Sequence, residues 1–180
     1  MWYYNILKNF SQLKGGFSLF KNLFPDILAD SIYDIDFLSL KTRGIKSIIL
    51  DIDNTLVPHT AQTPDERALK LISKLKDMGF SLAIISNGKP ERVKKFTIGF
   101  DIPVIWGHIK PKKSGYVLAL SSLNVKPNEC AAIGDQIFTD VLGANRMGIL
   151  SVYTTPILKY ENWFFYIKRF FENFILNKIK

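Results

Sequence analysis

The sequence predicts an α/β fold, a central parallel sheet lying between two layers of helices. Three observations carry that prediction. Short β-branched apolar runs alternate with stretches of helical periodicity. Polar residues able to do chemistry follow the main apolar runs. The chain has 180 residues, 47% of them hydrophobic, which suffices for one such domain with a sizeable core.

Taken in order, a first strand is read at 46–52, where Ile48-Ile-Leu50 leads into Asp51. Thr63 is the expected N-cap of the next helix, with Pro64 at its first position and Glu66 completing a capping box. Leu69, Ile72 and Leu75 follow at helical spacing and Gly79 is the expected stop, giving a helix at 64–78. Strands at 80–86, 102–106, 130–134 and 149–153 alternate with helices at 90–98, 114–123 and 139–147. The pattern is that of a three-layer Rossmann-like sandwich. No internal repeat or low-complexity tract interrupts it.

The chemistry is concentrated at strand ends. The run Ile48-Ile-Leu-Asp-Ile-Asp-Asn-Thr-Leu56 places Asp51 and Asp53 on one side of the strand if it continues that far. Two carboxylates held together are costly unless a cation or a shared proton relieves their repulsion. A divalent cation with oxygen ligands does so and leaves a carboxylate for reaction; magnesium is the first choice, and manganese suits the same ligands. Ordinary turn chemistry is the plain alternative for this segment alone. Three further segments weigh against it. Leu82-Ala-Ile-Ile85 runs into Ser86-Asn87-Gly88, Val104-Ile-Trp106 precedes Lys110-Pro111, and Ala131-Ala-Ile-Gly134 runs into Asp135, with Asp140 beyond. In an open parallel sheet these ends share one edge, where ligands bind.

In these four segments the chain resembles the haloacid dehalogenase superfamily of phosphotransferases, over roughly residues 45–153. The resemblance implies a strand order of 5-4-1-2-3. It also implies Asp51 as nucleophile, Asp53 as general acid and base, and Lys110 as the catalytic lysine. Phosphoryl oxygens would meet Asn54, Thr55, Ser86, Asn87 and Lys110. Mg2+ would bind Asp51, Asp135 and the backbone carbonyl of Asp53, with Asp140 orienting these groups and Gly134 admitting the backbone close to the site. An aspartate at position 53 points to phosphate-monoester hydrolysis within that superfamily. Lys112 and Lys113 are read as a solvated basic turn, and His59 as a loop residue at the mouth of the site.

The stretches 54–85 and 87–109 are nearly filled by the expected elements, so neither can hold a large cap domain. An open site suits a substrate whose body stays outside, such as a lipid head group, a protein or a nucleic-acid end. Cys130 is the single cysteine, read as a small core residue, and no intramolecular disulfide is possible; a reducing compartment such as the cytoplasm fits. No convincing signal peptide and no apolar run of membrane-spanning length are seen.

The termini carry a different signal. The expected division is a basic aromatic segment at 1–24, a phosphatase domain at 25–156 and an amphipathic helix at 157–180. From Tyr160, apolar residues recur at Trp163, Phe164, Ile167, Phe170, Phe171, Phe174 and Ile175, with Lys168, Arg169, Glu172, Asn173 and Lys178 on the other side. Such a helix can lie in the headgroup region of an anionic membrane, or pack on its own domain or on another subunit. Trp2, Tyr3, Tyr4, Phe10, Phe17, Phe20 and Phe24 give the N-terminal segment a similar character. The formal charge of +8 agrees with an anionic partner, while no nucleic-acid motif is recognised.

A closer resemblance, over roughly residues 25–160, is to the YqeG subfamily of class III phosphatases. It rests on Leu50-Asp-Ile-Asp-Asn-Thr-Leu-Val57, Gly134-Asp-Gln-Ile-Phe-Thr-Asp-Val-Leu-Gly-Ala-Asn145 and Thr155-Pro156. Members are related to phosphatidylglycerophosphate phosphatases. The implied function is Mg2+-dependent hydrolysis of phosphatidylglycerophosphate at the inner face of a membrane. The alternatives are hydrolysis of a soluble phosphometabolite, nucleotide or phosphoprotein, or a non-catalytic RNA- or ribosome-associated module.

Overall fold

A computed structural model describes residues 18–108, 110–158 and 163–177. Strand β1 (Ile27–Ala29) and the short helix α1 (Phe37–Thr42) precede the central strand β2 (Ser47–Leu50). The chain continues through α2 (Glu66–Asp77), β3 (Ser81–Ile85), α3 (Pro90–Thr97), β4 (Val104–Ile105), α4 (Lys113–Leu123) and β5 (Cys130–Gly134). A π-helical turn (Ile137–Val141) then feeds α5 (Leu142–Met147), followed by β6 (Leu150–Thr154) and α6 (Trp163–Leu176).

All six strands are parallel, in the order β1-β6-β5-β2-β3-β4. Alternation along β2 explains the layers. Ile48 and Leu50 join a core with Leu71, Ile72 and Leu75 of α2 and Val93 and Phe96 of α3. Ile49 faces the other way, into a core with Tyr116, Ala119 and Leu120 of α4 and Ala144 of α5. With both faces covered, β2 and β5 are buried throughout, as expected for a parallel sheet. The expected α/β sandwich is therefore present. No inserted cap interrupts residues 54–85 or the described residues of 87–109. Cys130 is buried in the second core.

Several local expectations need correction. Asp65, not Thr63, caps α2: its Oδ1 accepts from the backbone N–H of Ala68 at 2.8 Å. Pro64 thus lies outside the helix, and Glu66 pairs with Lys70 instead of closing a capping box. A carboxylate is a strong acceptor at the positive end of a helix, so the cap moves to it. The element expected at 139–147 begins two residues earlier, as the π-helical turn. The edge strand β1 and helix α1 were not anticipated. β1 is three residues long and held by long-range contacts, since Asp26 and Ser151 exchange bonds between side chain and backbone. Asp36 capping Ser39, and Gly44 at φ 85°, are the local signals that α1 did carry.

Among its described residues, the C-terminal helix docks through its polar face and its last turn. Glu172 is fully buried, whereas Tyr166, Ile167, Phe170, Phe171 and Phe174 are all about half exposed or more. Ile175 and Leu176 pack beside Ile137, Val141 and Tyr153. No helix among the described residues is long and apolar enough to cross a membrane. Trp2, Tyr3, Tyr4, Phe10, Phe17, Tyr160, Lys178 and the side chains of Trp163 and Phe164 lie outside the described part.

Candidate active site

Strands β2 and β5 are neighbours at the centre of the sheet, yet the chain leaves them in opposite directions, to β3 and to β6. Their C-terminal ends therefore open a crevice at a topological switch point. Asp51 follows β2 directly, and its N–H still bonds the Ile133 carbonyl at 3.0 Å. Asp135 follows β5, Ser86 follows β3, and Lys110 returns from beyond β4 through a cis Lys110–Pro111 peptide.

Lys110 is the hub. Its Nζ lies 2.5 Å from Asp51 Oδ1 and 2.6 Å from Asp140 Oδ1, and all three side chains are buried. Burial alone would push the Lys110 ammonium down, but the Asp140 and Asp51 carboxylates carry it above its usual range. Burial pushes the Asp51 carboxyl up to about 7, against the pull of Lys110. Asn87 fixes the lysine's backbone, accepting from Lys110 N–H at 2.8 Å and donating to its carbonyl at 3.3 Å. Lys112 and Lys113 are exposed and stand apart from this network.

Asp53 is partly open, with 24% of its side chain exposed, and pairs with Arg92 at 2.6 Å. Burial raises the Asp53 carboxyl while Arg92 pulls it down. Arg92 was missed in the sequence. It sits in the first turn of α3, where a cation opposes the helix dipole and so calls for an acidic partner. Its Nε also donates to the Ala61 carbonyl at 2.9 Å, tying the loop after Asp53 to α3.

The remaining expected residues fall around this centre. Thr55 Oγ1 donates to Asp51 Oδ2 at 3.3 Å. Ser86 is buried, and its Oγ accepts from Gly88 N–H at 3.0 Å. Asn54 holds φ 62° and turns its side chain into the scaffold. Its amide donates to the Leu158 carbonyl and its oxygen accepts from the His59 N–H, so both ends are engaged within the loop. The Asn54 side chain thus has a structural role in this turn, which His59 shares. Gly134 is required by Asp140: a Cβ there would lie 2.3 Å from Asp140 Cγ. Asp140 in turn accepts through Oδ2 from Gln136 N–H and Thr139 Oγ1. Tyr116 and Gly143, also missed, support it, since Tyr116 Oη donates to the Asp140 carbonyl at 3.2 Å and a Cβ on Gly143 would meet the Tyr116 ring.

One oxygen each of Asp51, Asp135 and Asp140 lies within 4.8 Å of the others, a buried all-oxygen triad. Asp135 Oδ1 is buried with no hydrogen-bond partner among the described residues. Burial and the nearby Asp51 charge raise the Asp135 carboxyl well above the carboxylate range. An orphaned carboxylate oxygen beside two others is the donor set that fits a divalent cation. Asp135 Oδ2 is engaged by Arg169 of α6, which also donates to the Asp135 carbonyl at 2.5 Å.

The profile of the haloacid dehalogenase-like hydrolase family matches residues 59–148. The chain is also 33% identical over 160 residues to "Probable phosphatase YqeG" of Bacillus subtilis, an alignment covering 89% of this chain and 93% of that protein. The chain belongs to the haloacid dehalogenase-like hydrolase family. The expectation of a phosphatase-type hydrolase is met at that level. The chain is also 27% identical to "Phosphatidylglycerophosphate phosphatase 1, chloroplastic" of Chlamydomonas reinhardtii, over 84% of this chain and 62% of that protein. A haloacid dehalogenase-superfamily hydrolase structure from Ehrlichia chaffeensis shares the fold, with a TM-score of 0.52, 19% identity, and coverage of 77% of this chain and 99% of that one.

Proposed function

We propose that this family member hydrolyses phosphate monoesters through an aspartyl-phosphate on Asp51, with a divalent cation, magnesium in preference, and that its substrate is phosphatidylglycerophosphate. The observation that carries the phosphatase reading is the buried Asp51–Lys110 pair at 2.5 Å with Asp53 beside it.

In the first half-reaction a carboxylate oxygen of Asp51 forms a bond to phosphorus as the ester P–O bond breaks. Asp53, whose carboxyl burial has raised, gives its proton to the departing oxygen. In the second, Asp53 takes a proton from water as that water attacks phosphorus, releasing phosphate and restoring Asp51. Lys110 holds Asp51 in position and supplies positive charge beside the transferring group. Ser86, Thr55 and the backbone around Asn87 line the place of the phosphoryl oxygens. Asp51, Asp135 and the Asp53 carbonyl would hold the cation, which would neutralise charge between nucleophile and phosphate. The oxygen-only donor set suits magnesium.

Three observations support the lipid substrate. No cap is inserted among the described residues, the Chlamydomonas relative bears that activity in its name, and α6 turns Tyr166, Ile167, Phe170 and Phe171 outward close to the site. These hydrophobic side chains, in a chain of formal charge +8, suit peripheral contact with an anionic bilayer from the cytoplasmic side. The test is phosphate release from liposomal phosphatidylglycerophosphate and from a panel of soluble esters. Asp51→Asn should lose at least about a thousandfold on every substrate. Ile167→Ser combined with Phe170→Ser should lose lipid turnover and keep soluble-ester turnover. Lipid left untouched while a soluble ester is hydrolysed through Asp51 would remove the lipid assignment and leave the phosphatase.

A further inference from the structure

We propose that Arg169 supplies at Asp135 the counter-charge a divalent cation would otherwise provide, making α6 a latch that weakens cation binding and is loosened by it. The inference rests on the reading of the acidic triad as a cation site. Three carboxylates converge there, and the single charge of Lys110 is shared between two of them, Asp51 and Asp140. The third, Asp135, is fully buried, and α6 supplies its counter-charge. The Arg169 guanidinium straddles it, one nitrogen on Oδ2 and the other on the backbone carbonyl. That fork is the pre-organised geometry by which arginine grips oxygen pairs.

The grip is built into the fold. Glu172, one turn further along α6, is buried; it accepts from Ile137 N–H at 2.9 Å and from Arg169 Nη1 at 2.7 Å. It therefore anchors the helix to the start of the π-helical turn and sets the guanidinium at once. Lys168 donates to Gln136, the residue after Asp135. Three consecutive residues, Asp135, Gln136 and Ile137, are thus each engaged by the polar face of α6. A guanidinium and a divalent cation on one carboxylate would repel each other strongly in a buried site. Cation binding and helix docking are accordingly in competition. Linkage requires each to weaken the other by the same factor.

The test needs no turnover. Full-length protein stripped with a chelator is titrated with Mn2+, and free Mn2+ is followed by electron paramagnetic resonance. Arg169→Gln should bind Mn2+ about tenfold or more tightly than wild type, within the usual span of such couplings. Asp135→Asn should lose the ion. In wild type, saturating Mn2+ should speed amide exchange across 163–177. If Arg169→Gln does not fold, Glu172→Gln loosens the same fork without touching Asp135, and it should also tighten Mn2+ binding. Equal Mn2+ affinity in wild type and the α6 variants, or unchanged exchange in α6 at saturation, would overturn the latch: the ion would then sit on Oδ1 while Arg169 keeps Oδ2. Phosphate release by wild type against Asp51→Asn is scored separately. A failed phosphatase reading would show there and leave the Mn2+ result standing.

Discussion

Asp51 and Lys110 are 59 residues apart in the chain and 2.5 Å apart in the fold. At this scale the site is a balance of buried charges, each carboxylate held by a named cation: Asp51 and Asp140 by Lys110, Asp53 by Arg92, Asp135 by Arg169. Arg92 is a positioning residue in this scheme, acting through Asp53. Arg92→Gln should lower kcat about 10- to 100-fold, the usual cost of losing such a supporting partner. It should also move the pH–rate limb assigned to Asp53 upward, because the group that pulls that carboxyl down is gone. Arg92→Lys should recover part of both. A fall in kcat with no displacement of the limb would assign Arg92 a purely structural role. The carboxylates and Lys110 were legible in the sequence because each follows an apolar strand. Arg92 and Arg169 were not, because a lone arginine on a helix carries no pattern until its partner is located.

At the scale of elements, caps and close approaches decide where helices begin and what they can reach. Asp65 starts α2, and that helix supplies much of the core on one face of the sheet. Asp65→Ala should cost about 1 kcal/mol of stability, read as a lower urea midpoint at unchanged slope. Thr63→Ala should be close to neutral, since it stands outside the helix. The amphipathic pattern of α6 was visible in the sequence, but the side that packs was not. Periodicity assigns the apolar stripe to burial by default. Here Asp135 and the buried start of the π-helical turn engage the opposite face, because a buried carboxylate and a buried N–H group need polar partners more than the core needs further aromatics. β1 stayed hidden for a related reason. Three residues give too short an alternation to read, and their pairing with β6 is wholly non-local.

Over the whole molecule, the concentration of acid at one sheet edge makes stability depend on pH. The Asp51 carboxyl is raised in the fold to about 7 from 3.8, and Asp135 is raised as well. The folded state thus holds these protons more tightly than the unfolded chain does. That contribution is fully present below the unfolded carboxylate range and is lost as pH rises through the folded value. Lys110, also raised, changes nothing in this window, because its unfolded value of 10.5 lies above it. The cation-stripped protein should therefore melt several degrees lower at about pH 8 than at about pH 5. Added Mg2+ should recover more of the loss at the higher pH, where the carboxylates are ionised. A melting temperature that is flat across that range, with no effect of the ion, would contradict this account of the acidic edge.

By itself the sequence determined the alternation of strands and helices, the strand ends that carry acid, hydroxyl, amide and lysine, and the lack of room for a cap between them. These are local properties, written in period, turn chemistry and spacing. The tertiary structure decided which charges meet: Lys110 between Asp51 and Asp140, Arg92 on Asp53, Arg169 and Glu172 over the mouth of β5. Those contacts join segments far apart in the chain, and each exists because a charge removed from water must find its partner wherever the fold brings one.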